Sequence, residues 1–204
     1  MKSFHNEISD LRKNVWITAG SRYNASRRLK LRHRWSFVTI AWLSAVGVAV
    51  PILHASSFLS IYSSHLPLYS SLLALLVLVL GLIESNASFE IDSRQLFENA
   101  EKLTGFRTRV EVILSDEDVS EQKVLELLAE YELIKNSCAI NHEPIDYRYF
   151  VAMHRADEVL FNNEGSPRQT IIESFFVKIK YALASRGWML LVWSISIFGF
   201  IYIM

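Results

Sequence analysis

Two long apolar runs lie close together in the first half of the chain, joined by a link without Asp, Glu, Lys or Arg. The first, Trp35 to Leu53, is about 28 Å long as a helix at ~1.5 Å per residue, close to the ~30 Å hydrocarbon thickness of a bilayer. The second, Leu68 to Ile83, extends back to Ser64 without admitting a charge. A helix that is apolar all round needs a large protein or a lipid phase to bury it, and the remaining chain is too short to be the former. The expectation is a transmembrane hairpin over 35–83. A third charge-free run, Gly187 to Met204, predicts another span of about 27 Å.

Elsewhere the pattern is amphipathic. Phe4, Ile8, Leu11, Val15 and Ile17 recur near helical spacing and predict a helix within 1–34. Phe89, Leu96, Phe97, Ala100 and Leu103 predict a second, ended by Gly105. The stretch SDEDVSEQ at 115–122 offers a Ser/Asp cap with acids in the first turn. Beyond it, Val124, Leu127, Leu128, Tyr131, Ile134 and Cys138 form a seam opposite Glu126, Glu130 and Lys135. That seam packs within the chain or zips two subunits together. Pro144 predicts a helix restart with Asn141 placed to cap it. Tyr149, Phe150, Met153 and 159–161 suggest a further helix, stopped by the turn cluster at 162–167. Ile172, Phe175, Phe176, Ile179 and Leu183 share a face opposite Lys178 and Lys180, as in a helix resting at a membrane surface.

The resulting expectation is an all-α membrane protein. A cytoplasmic basic amphipathic helix occupies 1–34, the transmembrane hairpin 35–83 and a cytoplasmic acidic helical domain 84–166. An interfacial helix at 167–186 then leads into a third, C-terminal transmembrane helix at 187–204.

Charge adds orientation. The formal net charge is zero, yet 1–34 holds nine Lys and Arg against two acids, 84–166 eight against eighteen, and 167–186 four against one. Arg27, Arg28, Lys30, Arg32 and Arg34 crowd against the first span. Such an excess marks a cytoplasmic flank, which places the N-terminus inside, the link His54 to Pro67 outside and, after a third crossing, the C-terminus outside. The same basic run suits contact with anionic lipid or, as the alternative, with nucleic acid. Thirty-four mostly polar residues precede the first span and no A-x-A site follows it, so it reads as a retained anchor.

Candidate chemistry is sparse. The spans lack ionisable side chains, which argues against coupled transport; an assembled pore would draw its polar lining from Ser36, Thr39, Ser44 or Ser71. Ala41, Ala45 and Ala49 recur every four residues, a spacing that lets helices approach closely, against the second span or in a homo-oligomer. Cys138 is the single cysteine, so no intrachain disulfide forms. Cys138, His142 and Asp146 are conceivable metal ligands, but they straddle Pro144 and lack a fourth; capping or subunit contact is the favoured role of Asn141 to Tyr147. No phosphate-cradling loop, zinc-helix motif or paired-cysteine spacing occurs. No catalytic residue, cofactor, metal or small-molecule substrate is expected.

Taken together, Trp16, Arg22, Tyr23, the approach Arg27 to Leu29, the hairpin, the acidic segment and the stretch Asn141, His142, Asp146 and Tyr147 resemble the SLATT family of prokaryotic two-transmembrane effectors. The resemblance implies an inner-membrane effector of a conflict system that forms or disturbs pores when a partner senses infection. That partner would be a retron-type reverse transcriptase with its RNA–DNA product, the branch this chain looks closest to, or a nucleotide-signal sensor. The rival reading is a non-toxic anchor that recruits such a complex to the bilayer. The third span goes beyond the two-span pattern.

Overall fold

The computed structural model describes residues 2–56, 66–115, 119–162 and 164–203. Six α-helices are present among them: α1 (Lys2–Ala55), α2 (Leu66–Asn86), α3 (Phe89–Leu114), α4 (Glu121–Asn136), α5 (Pro144–Met153) and α6 (Ile171–Ile203), with a 3₁₀ turn at Glu158–Leu160. Most of the charge-free link, Asp116 to Asp118 of the capping stretch, Asn163 of the turn cluster and the side chain of Tyr202 lie outside the described residues. α1, α2 and α6 each hold a stretch long and apolar enough to cross a membrane. This is an all-α membrane protein.

The chain divides into two compact units, one of Met1–Leu29 and Glu90–Tyr181, the other of Lys30–Phe89 and Ala182–Met204. In the first, Ile8, Leu11, Val15 and Ala19 of α1 meet Leu103, Phe106 and Val110 of α3 and Val124 and Leu127 of α4 in one buried cluster, with Tyr131 and Ile134 packed against it. The α4 seam therefore packs within the chain, although Leu128 stays exposed. Gly20 lets α5 approach α1 closely: a Cβ there would fall 2.0 Å from the Phe150 ring. Trp16 closes the contact edge-on to Phe150, centroids 5.0 Å apart.

The second unit has its own apolar cluster, Leu43, Val50, Leu66, Tyr69, Leu73 and Leu80, joined by Trp188 and Val192 of α6. Its few interior hydrogen bonds are specific. Trp193 Nε1 donates to Thr39 Oγ1 at 3.0 Å and the Tyr69 hydroxyl donates to Ser196 O at 2.9 Å. Trp42 stacks on Trp193 with centroids 5.5 Å apart. His33 Nδ1 lies 2.6 Å from Glu84 Oε1, where the charged flanks of the first two apolar runs meet.

Two helix ends differ from expectation. Gly105 does not end its helix; α3 runs nine residues further, to Leu114. Phe106 and Val110 continue the face begun by Leu96 and Leu103, and their burial outweighs the ~1 kcal/mol a helical glycine costs. Beyond Pro144 the helix is shorter than the apolar run suggests: α5 stops at Met153, and 158–160 form the 3₁₀ turn. The expected interfacial helix and third span are one uninterrupted helix, α6, and α1 likewise carries the basic arm into the first apolar run without a break.

Candidate functional site

The polar groups of the first unit converge on the α1 segment from Ser21 to Arg28. The core stripe of α1, Ile8, Leu11, Val15 and Ala19, continues at helical spacing through Arg22 and Ser26, so the periodicity that buries the aliphatic residues turns these polar ones inward as well. Ser21, Arg22, Ala25, Ser26 and Arg28 are all buried. The small residues bring the helices together: Ser93 Oγ of α3 donates to Ser26 O at 2.9 Å.

Arg22 closes the carboxyl end of α4. Its guanidinium donates to Asn99 Oδ1 and, at 3.0 Å, to Lys135 O. Asn99 Nδ2 in turn donates to Ile134 O at 2.7 Å and to Ser137 Oγ at 3.1 Å. The terminal carbonyls of a helix lack intrahelical donors and carry partial negative charge, so a buried cation and an amide complete them.

Arg28 grips α5. Its Nε donates to Asp146 Oδ1 at 2.9 Å and its Nη2 to Asp146 Oδ2 at 3.0 Å, a bidentate fork. Glu143 Oε1 lies 2.9 Å from the same Nη2. Asp146 is fully buried, and its Oδ2 also accepts the backbone N–H of Glu143 at 2.9 Å. One carboxylate therefore both starts α5 and ties it to α1. Burial would lower the Arg28 pKa, but the hydrogen bonds and charges of Asp146 and Glu143 outweigh it and the net shift is upward. Asn24 Nδ2 donates to Asp146 O at 3.2 Å, and the Tyr181 hydroxyl donates to Asn24 O at 2.7 Å. Tyr181 stacks on Tyr149 with centroids 3.9 Å apart.

Of the residues singled out in the sequence, the structure joins Arg28 to Asp146. Arg27, Lys30 and Arg34 are exposed, and Arg32 lies over the Phe89 ring at 4.6 Å. Arg28 is thus withdrawn from the rest of the basic run. Asn141 does not cap α5: the N-cap is Glu143, and Asn141 Oδ1 accepts the N–H of His142 at 2.9 Å. Burial, reinforced by the Arg22 charge and opposed by Asp146, holds the His142 pKa below 6.5, and its Nδ1 is buried without a hydrogen-bond partner among the described residues. The Tyr147 hydroxyl accepts from Arg168 at 2.9 Å. Cys138 Sγ donates to Ile140 O at 3.3 Å. Ala41, Ala45 and Ala49 are exposed; Leu43 and Val50 of α1 contact the second span instead.

Sequence reasoning missed Asn99 and Tyr181, and noticed Arg22 without its buried role. Asn99 could have been found, because it interrupts the apolar stripe Leu96, Ala100 and Leu103 on its inward side. A polar residue at such a position needs a buried partner.

A chain built this way, with apolar helices and a helical unit whose central charges are paired internally, matches one family description over residues 4–203: SMODS and SLOG-associating 2TM effector domain family 5. The protein belongs to that family. No curated protein and no solved structure matches it. Within this SLATT family the chain is a membrane effector of the defence-system type, and α6 adds a third apolar helix to the two spans of the family description.

Proposed function

We propose that this SLATT protein is the toxic membrane component of a prokaryotic antiviral system. Held inactive by a sensor complex in uninfected cells, it is released on infection, self-associates and permeabilises the inner membrane, ending the infected cell before the virus matures. The N-terminus and the helical unit face the cytoplasm, where the sensor binds. The sensor is a retron-type reverse transcriptase with its RNA–DNA product, or a protein that reads a nucleotide signal.

One observation carries the reading: the apolar segments of α1, α2 and α6 contain no acid, base or cation, while the buried charges of the helical unit, Arg22, Arg28 and Asp146, are engaged in holding helices together. An uncharged bundle damages a cell more readily by breaching its barrier than by chemistry. The exposed Ala41, Ala45 and Ala49 face supports self-association, because small residues are how helices pack closely in lipid.

The test is induced expression with and without the neighbouring genes, read by a membrane-potential dye. Depolarisation and growth arrest are expected when the chain is expressed alone, with protection restored by its partner genes. Full activity after replacing the spans with an unrelated apolar hairpin would overturn this reading in favour of a recruiting anchor.

A further inference from the structure

A cleft of about 1050 Å³ opens within the first unit between α5, the 162–170 loop and the first turns of α6, at the upper end of the size range of small-molecule sites. Three cations line it, one from each wall: Arg148 of α5, Arg168 of the loop and Lys180 of α6. None of the three pairs with a carboxylate within 4.0 Å among the described residues, and Arg168 donates instead to the neutral Tyr147 hydroxyl. Two acids also line the cleft. Glu173 is taken up by its own helix start, accepting from Thr170 N at 2.8 Å and Thr170 Oγ1 at 2.9 Å, and Glu164 is exposed on the loop.

The walls are fixed by hydrogen bonds that leave these charges unspent. Gln169 Nε2 donates to Arg148 O at 3.2 Å, Arg155 Nε donates to Gln169 O at 2.9 Å, and the buried Ser174 donates its hydroxyl to Gln169 Oε1 at 3.3 Å. Gln169 therefore ties α5 to α6 while the charged ends of Arg148 and Lys180 stay open. Phe176 lines the same wall as Lys180, one helical turn before it and on the same face, with 56% of its surface exposed. An aromatic face beside unpaired cations suits a ligand that is flat at one end and phosphorylated at the other. The charge of the unit limits how large that ligand is. Lys and Arg number six against two acids over 1–29 and eleven against eighteen over 90–181, so the unit holds seventeen cations against twenty acids. A nucleic-acid polymer needs basic contacts along its whole length, and here the free cations form a local cluster in a unit of net negative charge.

We propose that this cleft binds a nucleoside polyphosphate: Arg148, Arg168 and Lys180 hold its phosphates, and the base stacks on the Phe176 ring. The site goes beyond the toxic activity proposed above and does not depend on it, because binding is read on the protein in detergent whether or not a membrane is breached.

The full-length protein in mild detergent is titrated calorimetrically with ATP, GTP, inorganic tripolyphosphate and a short oligothymidylate. ATP or GTP is expected to bind, and tripolyphosphate to bind roughly tenfold more weakly, within the range that stacking a base on an aromatic ring supplies. Phe176→Ala should bring the nucleotide down to the affinity of tripolyphosphate and leave tripolyphosphate itself unchanged. Arg148→Gln with Lys180→Gln should weaken both by roughly 100-fold, at about tenfold per charge-assisted hydrogen bond, whereas Lys102→Gln with Lys123→Gln, an equal charge change outside the cleft, should leave both as they were. No binding of either nucleotide, binding insensitive to the Arg148 and Lys180 changes, or a nucleotide affinity untouched by Phe176→Ala would overturn the proposal. Oligothymidylate binding more tightly than either nucleotide would also overturn it, by assigning the cleft to single-stranded nucleic acid. A circular dichroism spectrum matching wild type accompanies each variant. Should the double cation variant fail to fold, Lys180→Gln alone is expected to show the tenfold loss, and no loss overturns the proposal.

Discussion

The two units of this protein use opposite interiors. In the first, a buried guanidinium–carboxylate fork, a cation on helix-end carbonyls and an aliphatic cluster share one core. In the second, the interior is almost wholly apolar, with single hydrogen bonds such as Trp193 to Thr39 and Tyr69 to Ser196. The difference follows from the surrounding phase. Water drives apolar side chains inward and makes burial of a charge tolerable only when every donor and acceptor finds a partner. Lipid supplies no such drive, so helices in it are held by close packing and a few polar contacts.

The contrast can be broken most severely at Asp146. Asp146→Ala leaves Arg28 charged and buried without its fork, so α5 should lose about 3–5 kcal/mol of protection, read by hydrogen exchange at its amides. Replacing both partners, Arg28→Met with Asp146→Leu, should return the part of that loss owed to the unpaired guanidinium, but not the part owed to the Glu143 N–H, which still lacks its acceptor. If the double change is as damaging as the single one, the unpaired guanidinium is not the source of the loss.

Gly20→Ala comes next. The new methyl must displace the Phe150 ring, at a cost of about 1–3 kcal/mol, with the loss expected as a lower thermal midpoint in detergent. In the second unit the corresponding polar deletion is milder. Tyr69→Phe removes the hydrogen bond to Ser196 and should cost only about 0.6 kcal/mol, the average for such bonds in a membrane bundle, measured by titration with a denaturing detergent. A loss as large as that at Asp146 would erase the distinction between the units.

The smallest effect is a pH slope. His142 is held neutral in the fold, its pKa below 6.5, so the unfolded chain takes up a proton before the folded one does. His142 should therefore cost stability as the pH falls through 6.5 toward the folded value and have no influence above it. His142→Gln is expected to flatten that part of the stability profile relative to wild type, with the profiles parallel above pH 7.

Much of this architecture is readable in the pattern of side chains, for reasons that are themselves physical. The spans show plainly because lipid requires a helix to be apolar on every side, and Pro144 marks the α5 start because it suits a first helical position. The interior polar network does not show, because an arginine in a basic run looks the same whether it meets lipid, water or a carboxylate more than a hundred residues away. Arg28 and Asp146 were both noticed, but only the fold joins them. Helical phase offered part of the clue: Arg22 and Ser26 continue the buried stripe of α1 and Arg27 falls outside it, but Arg28 also lies off that stripe and is buried all the same. Gly105 misleads in the opposite way, since a local helix-stop signal yields to the burial of Phe106 and Val110 beyond it.

The most direct test of the proposed activity is release of a trapped dye from liposomes of phosphatidylethanolamine and phosphatidylglycerol into which the purified full-length protein, without its partner, has been inserted. The account predicts leakage that rises steeply with protein density and is abolished when Ala41, Ala45 and Ala49 are replaced by leucine. Liposomes that stay sealed around correctly inserted wild-type protein at every density would contradict it.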